Sequence, residues 1–554
     1  MASVVPVVRA IARNRALARV VLAYAVFAAT QNAAWIGMLV YAFARGGAAT
    51  AGAVAVVQLV PAALVAPLAA GLADRRAPSR VLAGGYLVQV AGMLAVAAAI
   101  AADIAPAPYA AAVVASVAVA TTRPAQAVVV PALVRSVEEL TAANAVTGWV
   151  ESVGAVASSL ATGILLAVAG PDWVFAAAGL AGLASVGLAG TVGRVRPPMG
   201  DDGAGGVAEL LAGLRVVIGQ PAPRLLTGLQ AASWVLVGAL DLLFVVLAVD
   251  VLRRGQGWVG YLNTAYGVGG VVAGVAGVVL VGRRLGPPIL GAALLVGAAL
   301  GLTALLTSAP AALVLLAAVG GGRALFAVAT RSLLQRAVPA DVVGRVFGAV
   351  EGLAMAGLAV GSLLVPLLVA AGGPAAAVLG TAALLPLVVL VRGRALLALD
   401  AAADVPVVEI ALLRSLGVFR FLPGPQLEGI ARAVRRQELR PGEVLIREGD
   451  EGDRFYAVVD GGLDVTVRGA AADRMVRGDG FGEIALLNSV PRTATVRAAV
   501  PSTVLALDRD AFLTAVSGHA ATERTTVGLA EKRLEADRRR ARSPVDGGPG
   551  APPA

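Results

Sequence analysis

The sequence predicts an α-helical membrane protein of twelve crossing helices, arranged as two halves of six, followed by a C-terminal α+β domain built on a β-barrel. Three observations predict it. Of 554 residues, 58% are hydrophobic and 14% charged, and the mean hydropathy is +0.83, a balance foreign to a single soluble globule. Apolar runs of the roughly 20 residues that cross a bilayer recur as far as residue 391. Beyond residue 405 charge returns, and the pattern changes to short alternating stretches punctuated by glycine.

The crossing segments are read at 17–43, 50–73, 80–102, 107–131, 141–169, 172–193, 224–250, 258–281, 286–308, 310–334, 342–370 and 373–391. Gly and Ala recur within them, as in GVGGVVAGVAGVV from Gly267. In lipid, where burying apolar surface supplies no drive, small residues let helix backbones approach. Arg9, Arg13, Arg15 and Arg19 precede or open the first segment, and Arg75, Arg76, Arg80, Arg135, Arg194, Arg196, Arg215, Arg224, Arg283, Arg284, Arg336 and Arg345 populate the even-numbered connections. These connections, and both termini, are therefore expected in the cytoplasm. Only Arg45, Arg253 and Arg254 break the pattern. The net charge of +10 is thus accounted for by topology, and no nucleic-acid partner is expected. An internal duplication is suggested by Val146, Gly148, Val150 and Glu151, which recur at constant offset as Val346, Gly348, Val350 and Glu351.

Ionisable groups deep in a span are few, and each costs roughly 2.5–3.5 kcal/mol on insertion scales. Asp241 lies near the middle of SWVLVGALDLLFVVLAVD, at the depth of transporter sites, and is a candidate transport or proton-coupling carboxylate. Glu151 and Glu351 occupy corresponding places in the two halves; a transport role and a helix-joining pair with Arg123 or Arg331 both remain open for them. Gln31, Asn32, Gln58, Gln89 and Asn263 are weaker candidates for lining a path. Cysteine is absent, the sole histidine is His519, and no G-x-x-x-x-G-K loop occurs. Disulfides, thiolate metal sites and cysteine nucleophiles are excluded on that basis, and neither ATP-driven transport nor an enzyme nor a metal centre is expected.

The connection AGLADRRAPSRVL resembles the conserved cytoplasmic loop of the major facilitator superfamily. Asp74, Arg75 and Arg80 match, whereas Ala70 and Ala77 stand where that family has glycine; the second-half loop VGRRLGPPIL keeps Arg283 and Arg284 without an acid. The resemblance covers about residues 10–395. It implies a secondary transporter of a small molecule in the cell membrane, with Asp74, Arg75 and Arg80 as a conformational loop. By the same analogy the substrate is an amphiphilic or cationic molecule moved outward in exchange for protons. A lipid transporter or flippase of the same fold, and a non-transporting nucleotide-responsive receptor, stay open as alternatives. A gated channel does not, since neither an arginine-repeat voltage sensor nor a TVGYG-like filter is present.

In the C-terminal part, VEIALLRSLGVFRFLPGPQLEGIARAV reads as two short helices and the following stretches as strands, with Asp460 and Gly461 as a hairpin turn between YAVV and LDVTV. Helix resumes at Arg509, and SPVDGGPGAPPA reads as disordered. The stretch FGEIALLNSVPRTATVRA, residues 481–498, carries the chemistry. Gly482 permits close backbone approach. The EIALL turn offers amides to an anion, Arg492 a planar fork for two phosphate oxygens, and Glu483 an acceptor for a hydroxyl. Small Ala485 and Ala494 leave room for a ligand bearing both.

This stretch, with LIREGDEGDRFYAVVDG before it, resembles the phosphate-binding cassette of cyclic nucleotide-binding domains over about residues 410–535. The resemblance implies cyclic AMP or cyclic GMP as a regulatory ligand. Glu483 would then meet the ribose 2′-hydroxyl and Arg492 the cyclic phosphate. Gly482, Ile484 and Ala485 would complete the phosphate pocket, and Thr493, beside Ala494, would touch purine or phosphate. A barrel that keeps the fold and binds nothing is the alternative. The expected organisation is a first half over 1–195, a central cytoplasmic loop over 196–222, a second half over 223–395, a linker over 396–409, the nucleotide-binding domain over 410–540 and a tail over 541–554. Expected partners are the lipid bilayer, the transported molecule and the nucleotide.

Overall fold

The computed structural model describes residue 11 and residues 13–75, 78–134, 137–192, 207–276, 283–338, 343–402, 407–419, 422, 424–488 and 490–517. Arg76, Ala77, Arg135, His519 and the expected tail lie outside them. The chain separates into two compact units that part near residue 403.

The first unit is all helix: α1 (Arg15–Arg75), α2 (Pro78–Ala101), α3 (Ala107–Leu133), α4 (Val137–Val168), α5 (Pro171–Gly190), α6 (Val207–Gly219), α7 (Pro221–Val246), α8 (Gly257–Ala276), α9 (Gly286–Leu305), α10 (Ala309–Ala337) and α11 (Val343–Ala402). A π-helical turn, Leu247–Val251, extends α7. Among the described residues, eight helices are long and apolar enough to cross a membrane by length and composition. Large apolar side chains such as Leu64, Val168, Leu305 and Val391 point outward and exposed, as a lipid-facing surface requires.

The helices α1 and α11 run 61 and 60 residues, far more than a bilayer needs. Each is broken by a Gly-Gly pair of matching geometry. Gly46 and Gly47 adopt φ −161°, ψ 27° and φ 65°, ψ −161°; Gly372 and Gly373 adopt φ −160°, ψ 23° and φ 73°, ψ −169°. The positive φ of the second residue lies where a Cβ is unfavourable, so glycine localises the break. The breaks fall between the expected first and second segments and at the junction of the eleventh and twelfth. Beyond them, α11 continues to Ala402, through the start of the expected linker. The expected central loop contains α6.

Small residues set the helix crossings. A Cβ on Gly238 would collide with the Leu358 carbonyl, and one on Gly361 with the Val235 carbonyl, so α7 and α11 touch backbone to backbone. Gly320 presses on the Tyr266 carbonyl and Gly269 on that of Ala317, which joins α8 to α10. Gly163 meets Gly260, which joins α4 to α8 across the two halves. Close approach of this kind replaces the hydrophobic drive missing in lipid.

The second unit begins with helices α12 (Val407–Ser415) and α13 (Gly424–Ala433) and ends with α15 (Arg509–Ser517). Between them lie β1 (Arg435–Leu439), β2 (Val444–Ile446), β3 (Arg454–Asp460), β4 (Gly462–Val467), β5 (Ala470–Val476), β6 (Gly480–Phe481), the short helix α14 (Glu483–Asn488), β7 (Thr495–Ala498) and β8 (Ser502–Asp508). They form two four-stranded antiparallel sheets, ordered β1-β8-β3-β6 and β2-β7-β4-β5. Alternation along β3 and β8 explains the layering. Tyr456, Val458, Val504 and Ala506 turn toward the opposite sheet. Phe455, Ala457, Leu505 and Leu507 turn outward onto Phe419, Leu427 and Phe512 of the helical segments. The central strands β3 and β8 of the first sheet are thus buried on both faces, while edge strands β1 and β5 are mostly exposed.

The expected hairpin at Asp460 and Gly461 does not form. β3 pairs with β6 and β8, and β4 with β5 and β7, so Gly461, at φ 90°, carries the chain from one sheet to the other. The tight hairpin is one element later, where Val467 pairs with Ala470 across Arg468 (φ 51°) and Gly469 (φ 80°). Both central residues are left-handed there, as a twist-matched two-residue turn requires.

Candidate functional site

In the second unit, the sequence around residue 482 folds into one wall of a cleft. Gly482 ends β6 at φ 91°, and α14 starts at the next residue. A Cβ on Gly482 would lie 2.7 Å from Arg492 Nη1 and 3.0 Å from the Arg454 carbonyl oxygen, so only glycine lets these groups converge. Arg492 is held through its backbone, whose N–H donates to the Asp450 carbonyl at 2.8 Å and whose carbonyl accepts from Gly449 at 2.9 Å. Its buried guanidinium donates to the carbonyls of Gly482 (3.1 Å) and Arg454 (2.8 Å) and to the Asp453 carboxylate (3.3 Å). It also stands 5.9 Å from the centroid of the Tyr456 ring. Burial, aided by the Asp453 charge, pushes the Tyr456 phenol above its ordinary range, so the ring stays neutral beside the cation.

The cleft, about 760 Å³ counted to its open mouth, is lined by Gly482, Glu483, Ile484, Ala485, Arg492, Thr493 and Ala494. Every cassette residue singled out in the sequence is therefore brought to one place. Glu483 is 2% exposed although acidic. Ala485 packs so closely on Gly452 that a larger pair would not fit. The far wall is apolar, formed by Ile446, Val465, Met475 and Val496, with Asp473 at its edge. A buried fork-shaped cation, a buried carboxylate and a flat apolar wall accommodate a phosphate, a hydroxyl and a planar base together. Asp453 and Asp473 contribute to this arrangement but were not legible in the sequence, because each reaches the site from another strand or turn.

In the first unit the sequence-derived candidates separate. Asp241 accepts a hydrogen bond from Trp35 Nε1 at 2.9 Å, joining α7 to α1. Arg323 of α10 lies near enough for its charge to act on Asp241 and on Tyr266 of α8. Its guanidinium sits 5.4 Å from the Trp234 ring centroid. Arg323 Nε and the Tyr266 hydroxyl are buried without hydrogen-bond partners. The close crossing at Gly320 and the Tyr266 backbone puts these two side chains at one level. Arg323 was missed in the sequence, although a lone arginine amid LAAVGGGRALFAVA was the available signal.

The other candidates do not join this cluster. Glu151 is exposed and accepts from the Tyr24 hydroxyl, Glu351 is exposed, and Arg331 stands 4.9 Å from the Phe347 ring centroid. Among the described residues Glu151 thus meets a phenol and Arg331 a ring face, and no ion pair joins Arg331 to Glu151 or Glu351. The side chains of Arg123, Asp74, Arg75 and Arg345 lie outside the described residues, and Arg80 is exposed. Asn32 bonds Ser158 (2.8 Å) and Ser159 (3.1 Å), joining α1 to α4, and Gln58 accepts from Ser116 at 3.1 Å. Two arginines that break the charge pattern have local partners: Arg45 pairs with Asp103, and Arg254 stands over Trp258.

Residues 20–362, more than half of the chain, match the Major Facilitator Superfamily. The chain belongs to that superfamily. Residues 436–519 match the cyclic nucleotide-binding domain, so this superfamily member carries such a domain at its C-terminal end. The chain is 41% identical over 100 residues to an uncharacterised protein of Mycobacterium tuberculosis, covering 18% of this chain and 20% of that one. It is 38% identical over 106 residues to the cAMP-dependent protein kinase regulatory subunit of Yarrowia lipolytica, covering 19% and 27%. The chain thus spans only about a fifth to a quarter of the length of these curated relatives. Among solved structures, the regulatory subunit of a cAMP-independent protein kinase A from Trypanosoma brucei is 22% identical with a TM-score of 0.21, covering 24% of this chain and 48% of that one.

Proposed function

We propose that this superfamily member is a secondary active transporter of the cell membrane whose C-terminal domain binds a cyclic nucleotide and thereby sets the transport rate. The observation that carries the reading is the cleft in which buried Arg492 and Glu483 face an apolar wall, in the same chain as a helix bundle of a transporter superfamily. Glu483 holds the ribose 2′-hydroxyl and Arg492 the cyclic phosphate of cyclic AMP or cyclic GMP. Gly482, Ile484, Ala485, Thr493 and Ala494 shape the pocket around them.

The finer features belong to the same proposal. Counting α1 and α11 as two crossings each and leaving out the short α6 gives twelve, with both termini cytoplasmic. Proton coupling runs through Asp241, with Glu151, Glu351 and Arg123 as secondary candidates, and the direction is outward. Asp74, Arg75 and Arg80 form a conformational loop. The domain boundaries follow the organisation expected from the sequence, with the linker beginning after Ala402. A ligand shifts a conformational equilibrium by its differential affinity for the two states, typically about 1–3 kcal/mol. The full chain reconstituted in vesicles tests the reading. Addition of cyclic AMP or cyclic GMP on the side of the domain changes proton-gradient-driven flux, and Arg492→Ala removes that response while flux persists. Flux indifferent to both nucleotides in the wild type would overturn the regulatory half.

A further inference from the structure

The buried polar cluster of the bundle points to a substrate class. It contains Arg323, Asp241, Trp35, Trp234 and Tyr266, on α1, α7, α8 and α10. Each of these five is partly accessible although placed inside a long apolar helix. Trp35 and Tyr266 also pack against the main bundle core, so this accessibility faces the interior. Helices of both halves contribute. A cation and four polar or aromatic side chains thus line one interior place.

The partners are unevenly satisfied. Asp241 has its hydrogen bond from Trp35, whereas the buried Nε of Arg323 has no hydrogen-bond partner. Its planar face is covered by Trp234, which leaves the N–H edge to engage another group. The buried Tyr266 hydroxyl, close enough to interact with Arg323, likewise makes no well-formed hydrogen bond, and the ring of Tyr266 packs 5.5 Å from that of Phe244. An arginine with free edge donors in a low-dielectric interior recruits a planar oxyanion bidentately. Aromatic rings around it favour an apolar, flat body attached to that anion.

The geometry points to Arg323 and Tyr266 as the recognition site for an organic anion, a carboxylate on an aromatic or otherwise apolar body, with Asp241 as the built-in anion that competes with it. This rests on the transporter reading and sets an anionic substrate against the amphiphilic or cationic one expected from family analogy. Asp241 compensates the charge of Arg323 at a distance, which keeps an isolated cation from standing inside the bundle. The carboxylate of a substrate enters between Arg323 and Tyr266, where it makes the hydrogen bonds that Asp241 does not.

The competition predicts effects of opposite sign at two neighbouring residues. Binding of radiolabelled benzoate to the purified full chain is measured beside benzylammonium, its cationic counterpart of similar shape. Benzoate binds and benzylammonium does not. Arg323→Gln weakens benzoate by roughly tenfold or more, as loss of one member of a buried charged contact does. Tyr266→Phe, a milder change that guards against misfolding of the first variant, weakens it several-fold. Asp241→Asn strengthens it. Preference for benzylammonium, or benzoate affinity that falls in Asp241→Asn and is unchanged in Arg323→Gln and Tyr266→Phe, overturns the anion site. Flux assays on the same protein in phosphatidylcholine vesicles separate the two readings. Benzoate binding without flux leaves the anion site standing and refutes transport; proton-driven flux of benzylammonium without benzoate binding does the reverse.

Discussion

At the scale of single residues, the nucleotide cleft depends on a few residues that behave differently when changed. Arg492 is buried and bound to three acceptors, so Arg492→Ala removes the phosphate partner and leaves the carbonyls of Gly482 and Arg454 unmatched. Calorimetric titration with cyclic AMP and cyclic GMP is expected to show a loss of roughly 2–5 kcal/mol in binding. Glu483→Gln keeps the shape and an acceptor but removes the charge, and is expected to cost about 1.5 kcal/mol by the same measurement. Equal affinity in both variants and wild type would remove the cassette from the binding site. Gly482→Ala acts through the backbone. At φ 91° a Cβ costs about 1–2 kcal/mol, and here it also meets Arg492 Nη1, so a fall in both domain stability and nucleotide affinity is expected. Asp453 is a weaker lever, because it is 66% exposed and its attraction to Arg492 is screened by solvent. Much of this was legible beforehand, since the cassette is contiguous and glycine, acid and arginine each have one evident use. Arg323 was not, because the groups around it, Tyr266, Trp234 and Asp241, stand tens of residues away.

Elements are decided by a few breaks and crossings. The paired geometries at Gly46-Gly47 and Gly372-Gly373 split two helices too long for one crossing. Gly47→Ala or Gly373→Ala, forced into the left-handed region, is expected to cost about 1–2 kcal/mol, read as a lower unfolding temperature in detergent. Ala substituted at Gly84, where a Cβ meets nothing within 4 Å, is the matched control. The far end of α11 carries a second device. Asp400 is buried at 2% exposure, and its Oδ1 accepts the Leu285 backbone N–H at 2.9 Å, just where α9 begins. Asp400→Ala leaves that N–H without its cap and is expected to cost about 0.5–2 kcal/mol, while Asp400→Asn, which retains an oxygen, is tolerated. Identical melting of both variants would show the cap to be unimportant. The helix that leads into the C-terminal unit is thereby tied to the start of α9, a link no sequence spacing announces. The misplaced hairpin teaches the same point. Asp460-Gly461 has the composition of a two-residue hairpin, yet burial of Tyr456 and Val458 toward one sheet and of Leu463 and Val465 from the other requires that the strands separate there.

For the whole molecule, the proposal makes regulation separable from transport. Deleting residues 405–554 is expected to yield a transporter that moves substrate at a fixed rate and ignores cyclic nucleotides; vesicle flux with and without nucleotide measures both. A nucleotide response that survives the deletion would place the regulatory site elsewhere, and a correctly inserted deletion without any flux would make the domain structural. What the sequence by itself determined is the membrane class, the superfamily, the second domain and its cassette. These rest on composition, on periodicity and on residues contiguous in the chain, all of which act locally. Tertiary structure alone decided which glycines carry helix crossings, which strands pair across the two sheets, and which charges meet inside the bundle. Those outcomes depend on contacts between segments far apart in sequence. Gly238 against Leu358, Tyr266 against Gly320 and Trp35 against Asp241 exist only once backbones have packed closely enough for a side chain to reach another helix.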